Sequence, residues 1–467
     1  MNDVLSRLIA VLGTEKIISA GKLLDERRHD YWVVSYLRDY LSQCKEHALC
    51  VARPHETADV QAILKIANET GAPVMPFGLG SGVCGGVLVN SETILLDMGN
   101  MTQIDNIDET NLLATFGAGK NGLEAEEAVA SKGLTIGHWP QSIGVSSVGG
   151  WVATRASGQF STAYGNIEDI IYAIEAVLPN GDIVNIGASP RSANGPDLRH
   201  LFLGSEGTMG VITKVTLSLR RKAETQDFSA FYAESMSLGI EAQRQIIQSG
   251  YKPPVMRLYD KSEVSKNFPL FSCNSNSLLI MVHEGPKDIV AAEKSGVASI
   301  AIKSGLTHAP EKAVTDWLSR RNHVPSWESF FKQNFIAETI EVAAPWTKII
   351  DVYEHVIASL NEVTDIKHAT AHSSHVYRSG INLYFTFIIY RENKEDLEAA
   401  YYDCADRVLK TTAACGGTIS HHHGVGRSRR DYLEHDLGAS GISLLRNVKR
   451  AIDPNNIMNS GVLISND

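Results

Sequence analysis

Pro76-Phe77-Gly78-Leu79-Gly80-Ser81-Gly82-Val83-Cys84-Gly85-Gly86 follows directly on a β-like Val74-Met75, and five of its last nine residues are glycine. Without a Cβ at those positions the backbone can approach a ligand closely, and successive N–H groups turn inward as an anion nest. An ordinary tight turn is the alternative for one such loop taken alone. The G-x-G-x-G spacing is not that of a nicotinamide-binding βαβ unit, and no G-K-S/T follows it as in a P-loop. The pattern therefore argues against a nicotinamide fold.

Two further glycine loops lie downstream. Gly137-His138-Trp139-Pro140-Gln141-Ser142-Ile143-Gly144-Val145-Ser146-Ser147-Val148-Gly149-Gly150-Trp151 runs on into Thr154-Arg155-Ala156-Ser157-Gly158, and Gly204-Ser205-Glu206-Gly207-Thr208-Met209-Gly210 opens a β-rich run. Three such loops, each attached to strand-like segments, read as one extended cofactor pocket. Around them Val60, Ile63, Leu64, Ile66 and Ala67 recur at helical spacing over Thr57 to Thr70. A second helix is expected near Leu123 to Lys132, and β-rich runs at Thr93 to Leu96, Leu112 to Ala118, Ile170 to Val177 and Val211 to Leu219. These elements make a first domain, 1–222. Beyond Arg220-Arg221-Lys222 the rhythm changes: helices near Leu238 to Gln248, Ile289 to Lys303, Thr347 to Leu360 and Asn393 to Lys410, with strands near Leu278 to His283 and Ile381 to Tyr390. An antiparallel sheet with helices on one face accommodates that pattern. The expectation is an α+β chain with a substrate domain at 223–415 and a C-terminal segment at 416–467.

The chain has 467 residues, 43% of them hydrophobic, enough for more than one core. With 43 Lys plus Arg against 53 Asp plus Glu, the net charge of −10 gives no overall positive field, which argues against a dedicated nucleic-acid binder. Gly71 to Ser91 and Gly133 to Thr154 each run about twenty residues without charge, long enough to span a membrane. Their Gly, Pro and Ser content rejects that, because loop backbone is not tolerated in hydrocarbon. No transmembrane segment is expected. Met1 to Lys16 lacks the layout of a signal peptide and the C-terminal Ile-Ser-Asn-Asp is no address, so a cytoplasmic protein is expected. Six scattered cysteines (44, 50, 84, 273, 404 and 415) read as reduced thiols.

Pro76 to Gly86, Gly149 to Gly158, Tyr164-Gly165-Asn166-Ile167-Glu168-Asp169, Gly195-Pro196-Asp197, Gly204 to Thr208, His421-His422-His423-Gly424-Val425-Gly426 and Asp453-Pro454-Asn455-Asn456-Ile457 occur together. In combination they resemble the flavoproteins of the vanillyl-alcohol-oxidase type, and within them the alkylglycerone-phosphate synthases. The resemblance implies a two-part FAD-binding domain with a PCMH-type core at about 44–222 and an α+β cap with an antiparallel sheet. It places the pyrophosphate in the first loop, the isoalloxazine at the domain junction, and the C-terminal segment returning to the flavin. Carried over by position, the FAD contacts are Pro76, Phe77, Gly78, Leu79, Gly80, Ser81 and Gly82, then Gln141, Ser142, Ser146 and Ser147. They continue with Thr154, Arg155, Ala156 and Ser157, and with Gly204, Ser205, Glu206, Gly207, Thr208, Met209 and Gly210. No His or Cys stands where a covalent flavin link is argued, so dissociable FAD is expected; Cys84 reads as a small buried residue.

The histidines His421, His422 and His423 lie between Gly416-Gly417 and Gly424-Val425-Gly426. Imidazoles titrating near neutrality suit proton transfer, and a metal site or a solvated run are the alternatives. His372 and His375 in Ala371-His372-Ser373-Ser374-His375 invite a zinc reading. In the related D-2-hydroxy-acid dehydrogenases, metal ligands stand where this chain has Tyr384 and His422, so no metal is expected here. The resemblance instead implies that Tyr384 and His421, His422 and His423 are catalytic and that Arg257 and His375 bind substrate. An ion pair with Asp260 is the alternative for Arg257. Where the synthases carry a phosphate-binding arginine ahead of Ser-Ala-Pro-Trp, Trp327 precedes Ala343-Ala344-Pro345-Trp346. A neutral indole N–H does not replace a charge-assisted donor.

Two enzymatic readings follow. In the first, an FAD-dependent oxidoreductase passes hydride from an alcohol or 2-hydroxy acid to flavin N5, with Tyr384 or a histidine taking the proton and oxygen, a quinone or an electron-transfer protein reoxidising the flavin. In the second, an alkylglycerone-phosphate synthase exchanges acyl for alkyl on acyl-dihydroxyacetone phosphate without net redox change. The absent arginine favours the first. A small-molecule substrate, a homodimer and peripheral membrane contact are the expected partners; a flavin-storage protein would have no use for such a cluster of titratable groups.

Overall fold

A computed structural model of the chain describes residues 2–187, 189–272, 276–324 and 326–465. It divides into two compact units: Met1–Ser157, Asn166–Arg221 and His422–Asp467 form the first, and Gly158–Gly165 with Lys222–His421 the second. Both mix helix and sheet, as the α+β reading requires.

In the first unit the strand Val74–Phe77, which delivers the first glycine loop, pairs parallel with Ile94–Asp97, and that strand pairs parallel with Cys50–Ala52. Strands running parallel in one sheet need a crossover, and the helix Thr57–Thr70 supplies it between Cys50–Ala52 and Val74–Phe77, which flank Ile94–Asp97. Its Val60, Ile63, Leu64 and Ala67 are fully buried, and it stops at Gly71, whose φ of 70° is the left-handed conformation of a helix C-terminus. A second, antiparallel sheet has the order Ile104–Asp108, Leu113–Gly117, Val211–Ser218, Ile171–Val177, Ile183–Ile186. Phe116, Trp151 and Val215 join the helix stripe in one hydrophobic core.

The second unit is built on a seven-stranded sheet in the order Thr307–His308, Thr225–Ala233, Ser277–Gly285, Val255–Tyr259, Ile366–Ser373, Gly380–Tyr390, Phe335–Pro345, antiparallel throughout. The helices Ile349–Asn361 and Leu397–Ala414 pack on each other and on its strands. Register is the functional point. Tyr259 pairs with His372, His372 with Tyr384, and Tyr384 with Glu341. Directly opposed residues share a face, so these four side chains form one row across four strands.

The strand Phe335–Pro345 is absent from the sequence reading. Glu338 and Glu341 interrupt its apolar pattern, yet both are buried in the sheet. The last helix, Leu433–Ile452, is interrupted at Gly438 (φ 66°, ψ 166°). No disulfide joins Cys44, Cys50, Cys84, Cys404 or Cys415, and Cys273 lies outside the described residues. Among the described residues no helix is long and apolar enough to cross a membrane.

Candidate functional site

The segments singled out for the cofactor converge within the first unit. A Cβ on Gly78 would stand 2.5 Å from Ser147 Oγ, and one on Gly207 would stand 3.0 Å from the Pro76 ring. One on Gly204 would lie 2.8 Å from Arg155 Cδ. The backbone N–H groups of Gly204 and Glu206 donate to the carbonyls of Val152 (3.0 Å) and Ala153 (2.8 Å). The Pro76–Gly82 loop, the 141–147 loop, the 154–157 turn and the 204–210 loop are thus one cradle whose glycines are required by close approach. Gly80 adopts φ 75°, turning the loop past the Phe77 ring.

Ser142 closes a turn by accepting Val145 N–H at 2.8 Å, next to Gln141. Ser146 Oγ accepts the Trp151 indole N–H at 2.8 Å, and Ser147 Oγ accepts Gly150 N–H at 3.2 Å. Thr154 Oγ1 donates to Gly150 O at 2.9 Å, Arg155 pairs with Glu168 at 3.0 Å, and Ser157 Oγ bonds Asn166 Oδ1. Thr208 Oγ1 donates to Ser205 O at 2.7 Å, and Met209 is buried. His138 was not singled out from the sequence. It is fully buried beside the Trp151 ring, 4.7 Å between centroids, with no partner among the described residues for either ring nitrogen. Burial drives its pKa down to about 3. A cradle of converging glycine loops beside this orphaned polar ring fits a large cofactor.

The C-terminal segment returns to the same cradle. Glu206 Oε1 accepts Val425 N–H at 2.7 Å, and Oε2 accepts Gly426 N–H at 2.9 Å. Arg427 N–H donates to Cys84 O at 3.0 Å and its guanidinium to Gly85 O at 3.1 Å. Cys84 is buried, its Sγ 3.6 Å from Gly424 O. From the other side Asp30 Oδ2 accepts Gly86 N–H at 2.7 Å. Burial pushes Asp30 up to about 6 and Glu206 up to about 7, against the backbone N–H groups that favour their charged forms. His422 and His423 belong to this unit, with rings 4.7 Å apart.

The second unit holds the other candidates. His372 stacks on Tyr384, 5.0 Å and 8° between planes. Arg257 Nε donates to Tyr259 Oη at 2.8 Å, and its guanidinium lies 5.3 Å from the Trp317 ring. The alternative ion pair between Arg257 and Asp260 is not formed. Asp260 Oδ1 instead accepts Glu263 N–H at the start of the helix Lys261–Asn267 (2.8 Å), and Oδ2 accepts Ala371 N–H (2.7 Å). His375 is fixed by a buried hairpin in which Asn382 Oδ1 accepts its N–H at 2.8 Å, and its Nδ1 meets Ser161 Oγ at 2.6 Å. Its ring stacks on His421 at 5.0 Å, and His421 Nε2 meets Tyr377 Oη at 2.7 Å. Glu341, missed with its strand, accepts Ser420 Oγ (3.2 Å) and His421 N–H (3.3 Å). Tyr384, His375, His421 and Arg257 therefore lie in this unit, while His422 and His423 lie in the first.

Residues 48–187 match the family model "FAD binding domain", and residues 222–463 match "FAD linked oxidases, C-terminal domain". The chain belongs to the FAD-linked oxidase family, and FAD is its cofactor. Among its relatives, the FAD-linked oxidoreductase YgcU of Escherichia coli (strain K12) is 33% identical over 428 residues, 88% of each chain. The alkyldihydroxyacetonephosphate synthase of Trypanosoma brucei brucei is 29% identical over 448 residues, 89% of this chain and 73% of the relative. Solved p-cresol methylhydroxylase matches with a TM-score of 0.80 at 16% identity, covering 100% of this chain and 98% of that one. The fold is that of the vanillyl-alcohol-oxidase type.

Proposed function

We propose that the chain is an FAD-dependent oxidoreductase acting on a small hydroxylated substrate that bears an anionic group, a 2-hydroxy acid being the simplest. The observation supporting this is Arg257. One edge of its guanidinium is held inside the protein, while Nη1 has no protein acceptor and no carboxylate pairs with it among the described residues. Such a fork selects a planar pair of anionic oxygens. FAD, when bound, supplies the two-electron acceptor for the hydride.

Tyr384 and His421, His422 and His423 are assigned proton transfer. The substrate hydroxyl proton leaves to this set as the C–H hydrogen departs with its electron pair. His421 hands it on through Tyr377, and His375 with Ser161 orders the imidazole beneath. Pro76–Gly82, Gln141–Ser147, Thr154–Ser157 and Gly204–Gly210 hold FAD without a covalent bond. Oxygen, a quinone or an electron-transfer protein completes turnover in a cytoplasmic homodimer.

The synthase reading is kept because the trypanosomal relative carries that name. Trp327, 9% exposed and packed near Phe330, offers no charge where a phosphate arginine would act. Anaerobic mixing of the yellow protein with 2-hydroxy acids, alcohols and acyl-dihydroxyacetone phosphate separates the two. Bleaching of the flavin band by a 2-hydroxy acid is expected. A spectral change without net reduction, given only by the acyl compound, would replace this reading with the synthase.

A further inference from the structure

His372 is absorbed by neither the metal reading nor the proton-transfer set. It is buried, and both ring nitrogens are engaged. Nε2 faces Arg257 Nη2 at 2.8 Å, and Nδ1 faces the Glu263 carboxylate at 3.0 and 3.1 Å. A guanidinium nitrogen only donates and a carboxylate only accepts. Nε2 must therefore carry the lone pair and Nδ1 the proton, so the imidazole is neutral. A second proton would set N–H against N–H at 2.8 Å beside a permanent cation.

The groups facing this ring from the surrounding elements agree. Glu263 comes from the helix Lys261–Asn267, Arg257 and Tyr259 from the strand Val255–Tyr259, and Tyr384 from Gly380–Tyr390. Tyr259 is 5.1 Å away and Tyr384 lies parallel at 5.0 Å. Burial and the Arg257 charge lower the His372 pKa, against Glu263.

We infer that His372 is the positioning residue of the anion subsite: a neutral Nδ1–H imidazole, anchored by Glu263, that holds the inner edge of Arg257 so that Nη1 points outward in register with the Tyr384 ring. This rests on the reading of Arg257 as the substrate-binding arginine. Because Nε and Nη2 are both occupied, the guanidinium cannot turn about its stem, and its anion-binding edge is set before substrate arrives.

Two measurements on the FAD-loaded protein test it. In long-range 1H–15N spectra of 15N-histidine-labelled protein, with His372→Gln assigning the resonance, His372 is expected as a neutral Nδ1–H ring from pH 8 to about 5.5, below an ordinary histidine's pKa. A doubly protonated ring or the Nε2–H tautomer overturns the inference. Oxalate binding, followed by perturbation of the flavin spectrum, should weaken about tenfold or more in His372→Ala, the loss expected for one such hydrogen bond. It should largely recover in His372→Gln, whose side-chain oxygen accepts from Arg257, and His372→Ala should add little in an Arg257→Ala background. Weakening in Arg257→Ala but not in His372→Ala overturns the positioning role. Wild-type affinity in Arg257→Ala overturns the substrate-arginine reading, and the histidine resonance still decides the tautomer.

Discussion

Tyr384 and His138 illustrate two ways a single side chain is committed. Tyr384 sits between His372 and Glu341 in the sheet row, so Tyr384→Phe keeps the stack and removes only the hydroxyl. Turnover should fall by about 100-fold or more while the bound-flavin spectrum is unchanged, and a variant with full turnover would remove the tyrosine from proton transfer. His138 is a stability matter. Its folded pKa of about 3 lies below that of the unfolded chain, so as pH falls below about 6.5 the unfolded state takes up a proton that the folded state refuses. Between pH 6.5 and 5 this costs about 1.6 kcal/mol, and urea titrations at the two pH values should show that increment missing in His138→Leu. A third constellation needs no function. Ser229 Oγ, His283 and Glu293 are spaced at 3.0 and 2.8 Å like a nucleophile, base and acid, but Ser229 and His283 are sealed in the sheet. Ser229→Ala is expected to leave turnover unaltered.

At the level of loops and strands, what could be read from the sequence was whatever the backbone alone requires. The glycines of 76–86 and 204–210 announce close approach before any partner is known, and Val60 to Ala67 announce a buried helix face. Side-chain pairs between distant strands carry no such mark. Glu341 looks like a surface residue in Phe335–Pro345 until Ser420 and His421 N–H arrive from far along the chain. Glu263 likewise acquires its meaning only from His372, 109 residues away. The C-terminal clamp is the element most exposed to test. Glu206→Ala leaves the half-buried Val425 N–H and the buried Gly426 N–H without acceptors, so stability should fall by about 2–4 kcal/mol, with FAD content reduced. Glu206→Gln retains one acceptor and should lose less; equal effects in the two variants would show that the side chain's volume matters rather than its oxygens. In the second unit, Asn382→Ala removes the acceptor of the Ser374 and His375 N–H groups and should cost about 2 kcal/mol or more, measured by denaturant unfolding.

Across the whole chain, the three glycine loops announced an extended cofactor pocket and the alternating helix and strand patterns the α+β character, while the FAD-binding fold was legible only through the family resemblance that the loops carry together with the 164–169, 195–197, 421–426 and 453–457 motifs. The excursion Gly158–Gly165 was not, because nothing in its composition separates it from its neighbours. Its contacts nonetheless lie in the second unit: Ser161 with His375, Tyr164 with Glu284 at 2.8 Å, and Gln159 with Arg321 O at 3.3 Å. With a cofactor cradle in one unit and a separate sheet in the other, calorimetry of the protein before and after FAD removal should resolve two transitions. The one belonging to the cradle should fall, by about 3 kcal/mol if FAD had been present at a hundred times its dissociation constant. The division into Met1–Ser157, Asn166–Arg221 and His422–Asp467 also bears on biosynthesis. A ribosome releases the chain from its N-terminus, and domains ordinarily fold as they emerge. Here the cradle stays unfinished until Val425 and Gly426 emerge, since the amides that cover Glu206 are translated more than two hundred residues after it. A nascent chain that stops between Arg221 and Gly426 therefore lacks the amides that cover Glu206, and is expected to be a product for proteases and chaperones rather than a smaller working flavoprotein.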